Sequence, residues 1–150
     1  MFKHINELQL SNLQMAKKDA AVISNGQVLF TISGGPILAT TLIGRCRTAN
    51  DATASTVTFS ADPTESAATA ITGTSASLAS AAIGATVICS LATAATAPSV
   101  LANGVGVFGH TTRVLIPEGT ITVAVGVGDT TGTWEWYLQY EPLTPNSVVS

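Results

Sequence analysis

Two histidines, two cysteines and nine acids are the titratable side chains of this 150-residue chain that could do acid–base, nucleophilic or metal chemistry. His4 and His110 lie far apart, and neither has a Cys, Asp or Glu at the spacing of a metal site. A hydrolytic triad would have to join His110 to one of many serines and a distant acid, and no G-x-S-x-G marks a nucleophile. Asp62 and Glu65 flank a turn and read as solvated. Asp129-Thr130-Thr131 is too sparse in oxygens for calcium. Gly104 to Gly109 matches G-x-G-x-x-G, but a dinucleotide site needs a helix after the glycines and an acid about 20 residues on. Here His110-Thr111-Thr112-Arg113 and a β-like run follow. Cys46 and Cys89 sit in apolar, strand-like runs and read as small core residues rather than a bridge or ligands. The expectation is a chain with no catalytic residue, no cofactor and no metal, so not an enzyme.

The elements that would position such residues carry unusually little charge. Charged residues make up 10 % of the chain, against about 25 % in an average soluble domain. Net charge is −3, which argues against a nucleic-acid partner. From Ser66 to Thr112 there is no Asp, Glu, Lys or Arg. A stretch this neutral points to burial between subunits, to a membrane or to disorder. Gly, Ser, Thr and Pro break every apolar run short of the roughly 20 residues a spanning helix needs. With 46 % hydrophobic residues, disorder does not fit either. Burial in a homo-oligomer or other assembly remains.

The chain is long enough for one domain with a real core. Residues 1–19 read as a separate arm and 20–150 as a β domain. Met1-Phe2-Lys3-His4 leads into polar residues without a continuous apolar run, unlike a signal peptide. Ser11-Asn12-Leu13-Gln14 fits a capping box and predicts a short helix over about 12–18. Phe2, Ile5, Leu8 and Leu13 give the arm an apolar stripe, for packing on its own domain or docking on a neighbouring subunit. Strand signals follow. Ala21-Val22-Ile23, the Asn25-Gly26 dipeptide and 28–32 read as a hairpin. Further strands are predicted at 37–48, 56–60, 77–82, 86–92, 105–108, 112–116, 120–127 and 134–140, with turns at 33–36, 61–64, 117–119 and 129–132. Their number and spacing predict an antiparallel β-sandwich or jelly roll.

The last strand is the most distinctive. Trp134, Trp136, Leu138 and Tyr140 alternate with Glu135, Tyr137, Gln139 and Glu141. One face is bulky and the other polar, as in an antiparallel strand with one face on a core. All the tryptophan and tyrosine of the chain is here. Trp134, Trp136 and Tyr140 read as core residues; the competing reading is an exposed carbohydrate-binding platform.

Four segments in order resemble small structural proteins of tailed bacteriophages. They are FTISGGPILATTLIGR (30–45), TVTFSADPT (56–64), VLIPEGTI (114–121) and TGTWEWYLQYEPL (131–143). The resemblance covers roughly residues 27–145 and supplies no catalytic residues. It implies a virion protein, a capsid decoration or cement protein, favoured as a homotrimer, that bridges copies of the major capsid protein. It implies a place on the capsid surface after assembly in the host cytoplasm. A tail, baseplate or fibre component is the alternative within the same class.

Overall fold

The computed structural model describes residues 12–91, 96–106 and 112–150. Among them there are eleven strands and no helix. In chain order these are β1 (Gln14–Val22), β2 (Gln27–Ser33), β3 (Ile37–Cys46), β4 (Thr56–Pro63), β5 (Thr69–Ala70), β6 (Thr86–Ser90), β7 (Ser99–Leu101), β8 (Val114–Ile116), β9 (Gly119–Gly126), β10 (Thr133–Pro142) and β11 (Val148–Val149). One sheet runs β1-β10-β3-β6-β7, with β8 also paired to β3; the other runs β11-β2-β9-β4-β5. All pairings are antiparallel. Consecutive strands β1/β2, β3/β4, β5/β6 and β9/β10 hold corresponding places in opposite sheets. That is the strand order of a jelly roll.

The core forms between the sheets from alternate residues. On β10 Trp134, Trp136, Leu138 and Tyr140 face inward and are at most 4 % exposed. On β9 and β4, Ile121, Val123, Val57 and Phe59 face them from the second sheet and are fully buried. Phe59 meets Trp136 edge-on, with centroids 5.1 Å apart and planes at 67°. Trp134 stacks on Trp136 at 6.3 Å. Such pairs add about 0.5–1.5 kcal/mol beyond area burial.

β3 fits this face through two devices. At its start Ile37 and Ala39 point inward; further on Leu42, Gly44 and Cys46 do. The phase changes because Thr40 is an extra residue opposite the Gln139/Tyr140 step of β10. Its hydroxyl donates to the Gln139 carbonyl at 3.0 Å, which pins the bulge. Without the bulge the second half of β3 would turn its apolar residues to the outside. Gly44 lies opposite Trp136 in the ladder, and a Cβ there would overlap the indole ring. The glycine is required by this close approach rather than by its backbone angles.

Several expectations change. Residues 14–18 are strand, not helix: β1 pairs with β10 from Gln14↔Tyr140 onward, because the alternation Gln14, Ala16 matches the inward face of β10. The boundary at residue 19 therefore falls inside a strand of the sandwich. The Asn25-Gly26 turn joins β1 and β2, but these lie in different sheets, so it is no hairpin. Residues 77–82 are not strand; they form the irregular connection into β6. β4 runs through Pro63, so Asp62 is in the strand and the turn falls at 64–66. Val105 and Gly106 are not strand, and residues 107 and 108 lie outside the described residues.

Gly44→Ala should lower stability by about 1–3 kcal/mol, because neither the β3 backbone nor the buried indole can give way. Urea unfolding followed by tryptophan fluorescence measures it.

Candidate functional site

Four loops meet at one end of the sandwich: β1–β2, β3–β4, β5–β6 and β9–β10. Asn50, 8 % exposed, ties three of them. Its Oδ1 accepts from the Gly132 amide at 2.9 Å and from Trp134 Nε1 at 3.3 Å. Its Nδ2 donates to the Leu78 carbonyl at 2.9 Å. A Cβ on Gly132 would overlap the Thr48 carbonyl and Asn50 Oδ1, so only glycine lets the loop come this close. Thr130 Oγ1 accepts from the Ile23 amide and donates to the Gly132 carbonyl. Asp129 Oδ1 accepts from the Asn25 amide at 3.0 Å, and Thr131 Oγ1 accepts from the Asp51 amide at 2.8 Å. One side-chain oxygen of each of residues 129, 130 and 131 is thus engaged in holding loops. The Thr53 amide, donating to Asp51 Oδ1 at 2.8 Å, holds that carboxyl below its ordinary range.

The opposite end is open. A groove of about 580 Å³ lies there between Pro36, Pro63, Leu115 and Pro117, with Glu65 and Glu118 on its lining. Leu115 is 57 % exposed. The Thr64 amide donates to the Glu118 carbonyl at 2.9 Å, which brings the two acidic turns side by side. Neither acid has a cationic partner among the described residues.

The outer face of the β1-β10-β3-β6-β7 sheet carries the bases Lys17, Arg45 and Arg47 beside the acids Glu135 and Asp19, with Asp19 3.2 Å from Lys17 Nζ. Glu135 is buried there, 3.9 Å from Lys17 Nζ and 3.7 Å from Arg47 Nη1. Arg45 sits opposite Glu135 in the ladder and is exposed. A depression of about 510 Å³ is lined by Ile43, Arg45, Ile88, Tyr137 and Val105, among others. At its rim the turns around Gly84 and Gly104 touch: a Cβ on Gly104 would overlap the Gly84 carbonyl. Ile83 and Val105 stand beside this contact, 70 % and 86 % exposed.

Between the two ends, residues 66–91 explain their own composition. Ser75 Oγ accepts from the Val57 amide and Thr72 Oγ1 from the Phe59 amide, both at 3.0 Å. The Ile71 and Ser75 amides donate back to the carbonyls of Phe59 and Val57. The Ser/Thr-rich segment thus seals the free edge of β4 with hydroxyls. Ile71, Leu78, Ala85, Val87 and Cys89 of this segment enter the core, while Ala67, Ala68, Ala76 and Ala82 face out without charge.

Trp134, Trp136 and Tyr140 lie in the core and form no solvated platform, which removes the carbohydrate-binding reading built on them. Leu13 is half-buried just before β1; Phe2, Ile5 and Leu8 lie outside the described residues. So do both histidines, and so does the end of the glycine motif at Gly109. No three His, Cys, Asp or Glu converge among the described residues in a way that could hold a metal ion. Cys46 and Cys89 are both free and buried, and burial pushes both thiols up in pKa. Reading the residues one by one missed Asn50, Thr130 and the glycine at 132. The only available signal was a run of Asn, Thr and Gly in loops, which is common to most turns. No protein-family model, curated protein or solved structure matches the chain.

Asn50→Ala would leave the Trp134 indole N–H, the Gly132 amide and the Leu78 carbonyl without their partner. We expect a loss of about 2–4 kcal/mol in chemical denaturation. The cysteines give a pH signature. The native state keeps Cys89 neutral, while the unfolded chain ionises it near the ordinary value of 9.0. Unfolding then releases protons, so stability should hold below that pH and fall above it by up to about 1.4 kcal/mol per pH unit per thiol. Denaturation curves across this range, run on wild type and Cys89→Ala, isolate the effect.

Proposed function

We propose that the chain is a structural subunit of a larger assembly. With the phage resemblance, the reading becomes a virion protein that binds the outside of a bacteriophage capsid and bridges its subunits. One observation carries the assembly part. The side of the sandwich built from residues 66–91 and 96–106 exposes small uncharged residues together with Ile83 and Val105, while the apolar core inside is already complete. Those exposed side chains do not serve the fold of the single chain. Neutral, low-entropy surface is suited to contact, since alanine loses no rotamer freedom on burial and a charge would carry a desolvation cost.

The action is mechanical. Each copy makes modest contacts, and a symmetric lattice multiplies them by raising the effective concentration of every further contact. A shell clamped in this way resists outward pressure without any single tight site. The same surface would serve a tail, baseplate or fibre component, and location on the particle separates the two.

Mixing the purified protein with capsid shells that lack it, followed by electron cryomicroscopy, is the direct test. Ordered density on the shell exterior is expected; density on the tail alone would move the protein there, and no binding to any particle would end the virion reading. Ala68→Glu with Ala82→Glu puts charge on the neutral side without touching the core. This variant should keep its Tm yet bind shells at least about tenfold more weakly.

A further inference from the structure

We propose that the chain associates head to tail with copies of itself: the corner bearing Ile83, Val105 and Arg45 of one copy seats in the Leu115–Pro117 groove of the next, where Arg45 meets Glu65 and Glu118. This deepens the assembly reading above, on which it rests, by naming a second copy as a partner and giving both contact surfaces.

Charge complementarity argues for this occupant. The groove end holds Asp62, Glu65 and Glu118, with no cation among its lining residues. The outer face near the other end holds Lys17, Arg45 and Arg47; Lys17 is paired with the exposed Asp19 at 3.2 Å and, like Arg47, lies near the buried Glu135, which leaves Arg45 as the base without an acid within ion-pair distance among the described residues. Arg113, the base nearest the groove by sequence, is already taken by Glu141, with Nη1 to Oε2 at 2.5 Å. Arg45 has no ion-pair partner among the described residues. The apolar parts also complement each other. The groove is walled by three prolines and an exposed leucine, and the corner presents two large aliphatic side chains, 70 % and 86 % exposed. Apolar contact flanked by opposite charges is the composition of a specific interface core and rim.

The geometry requires two molecules. Pro36 of the groove immediately precedes β3, and Arg45 lies one residue from the end of that strand at Cys46. Along an extended strand this separates the surfaces by roughly 30 Å. One chain therefore cannot close the contact on itself. A contact between two different patches is heterologous, and it builds a ring if the rotation closes and a filament if it does not.

The test is light scattering after size exclusion, on the full chain, over a concentration series at about 0.05 M and 0.5 M salt, which differ several-fold in screening length. The expected mass exceeds a monomer at low salt and drops at high salt. Arg45→Glu alone, and Glu65→Lys with Glu118→Lys, should each raise the dissociation constant at least about tenfold while leaving Tm unchanged. An equimolar mixture of the two variants should re-associate, since each supplies the charge the other now lacks. A wild type that stays monomeric at low salt, an oligomer indifferent to both variants, or a mixture that stays apart would each overturn the contact. Shell binding is scored separately. A monomer that still binds shells removes this contact and leaves the capsid role standing; a charge-swap oligomer that ignores shells does the reverse.

Discussion

Trp136 lies against the bare backbone of Gly44, and this contact sets how β10 and β3 sit together. The ring then reaches Phe59 of the opposite sheet and Trp134 on its own strand. Trp134 carries the chain of contacts out of the core, because its indole N–H ends on Asn50. One aromatic line thus runs from the middle of the sandwich to the loops at its end. The bulge at Thr40 exists for the same purpose, since it keeps the apolar half of β3 turned toward that line. Close-packed interiors tolerate little change in volume, so the glycine, the bulge and the indole form one unit.

Much of the fold was legible because it is written in alternation. The 134–140 pattern gave the strand and its inward face, and the runs at 28–32, 56–60 and 120–127 gave their strands. What stayed hidden depends on partners distant in sequence. Asn25-Gly26 has the local chemistry of a hairpin, yet β1 and β2 belong to different sheets, a choice made by β10 and β9 more than 90 residues on. The capping-box pattern at 11–14 lost to pairing with β10, as local propensity often does against a half-buried ladder. The Ser/Thr-rich stretch could not be parsed because its hydroxyls act as main-chain partners, a role with no periodicity.

The same stretch changes the meaning of the missing charge. Charge on a sheet edge usually blocks unwanted strand pairing. Here Thr72 and Ser75 occupy the β4 amides directly, so charge is not needed for that purpose. The surface can then be neutral without offering an open strand edge along β4. Acids without a cationic partner line the proline groove, and the exposed Arg45 lies on the outer sheet face beside bases that are already paired.

The position of β10 between β1 and β3 also fixes when this protein can begin to exist as a folded body. Gln14 and Tyr140, joined side chain to side chain, are 126 residues apart. β3 could pair with β6 early, but β1 has no neighbour until β10 has been made. Closing so long a loop must precede the contacts that reward it, which slows folding. At synthesis rates of about 5–20 residues per second, several seconds pass with the first strand unpaired. The nascent chain crosses that interval with a charge-poor sequence, in which Gly and Pro, poor strand formers, weaken competing pairings.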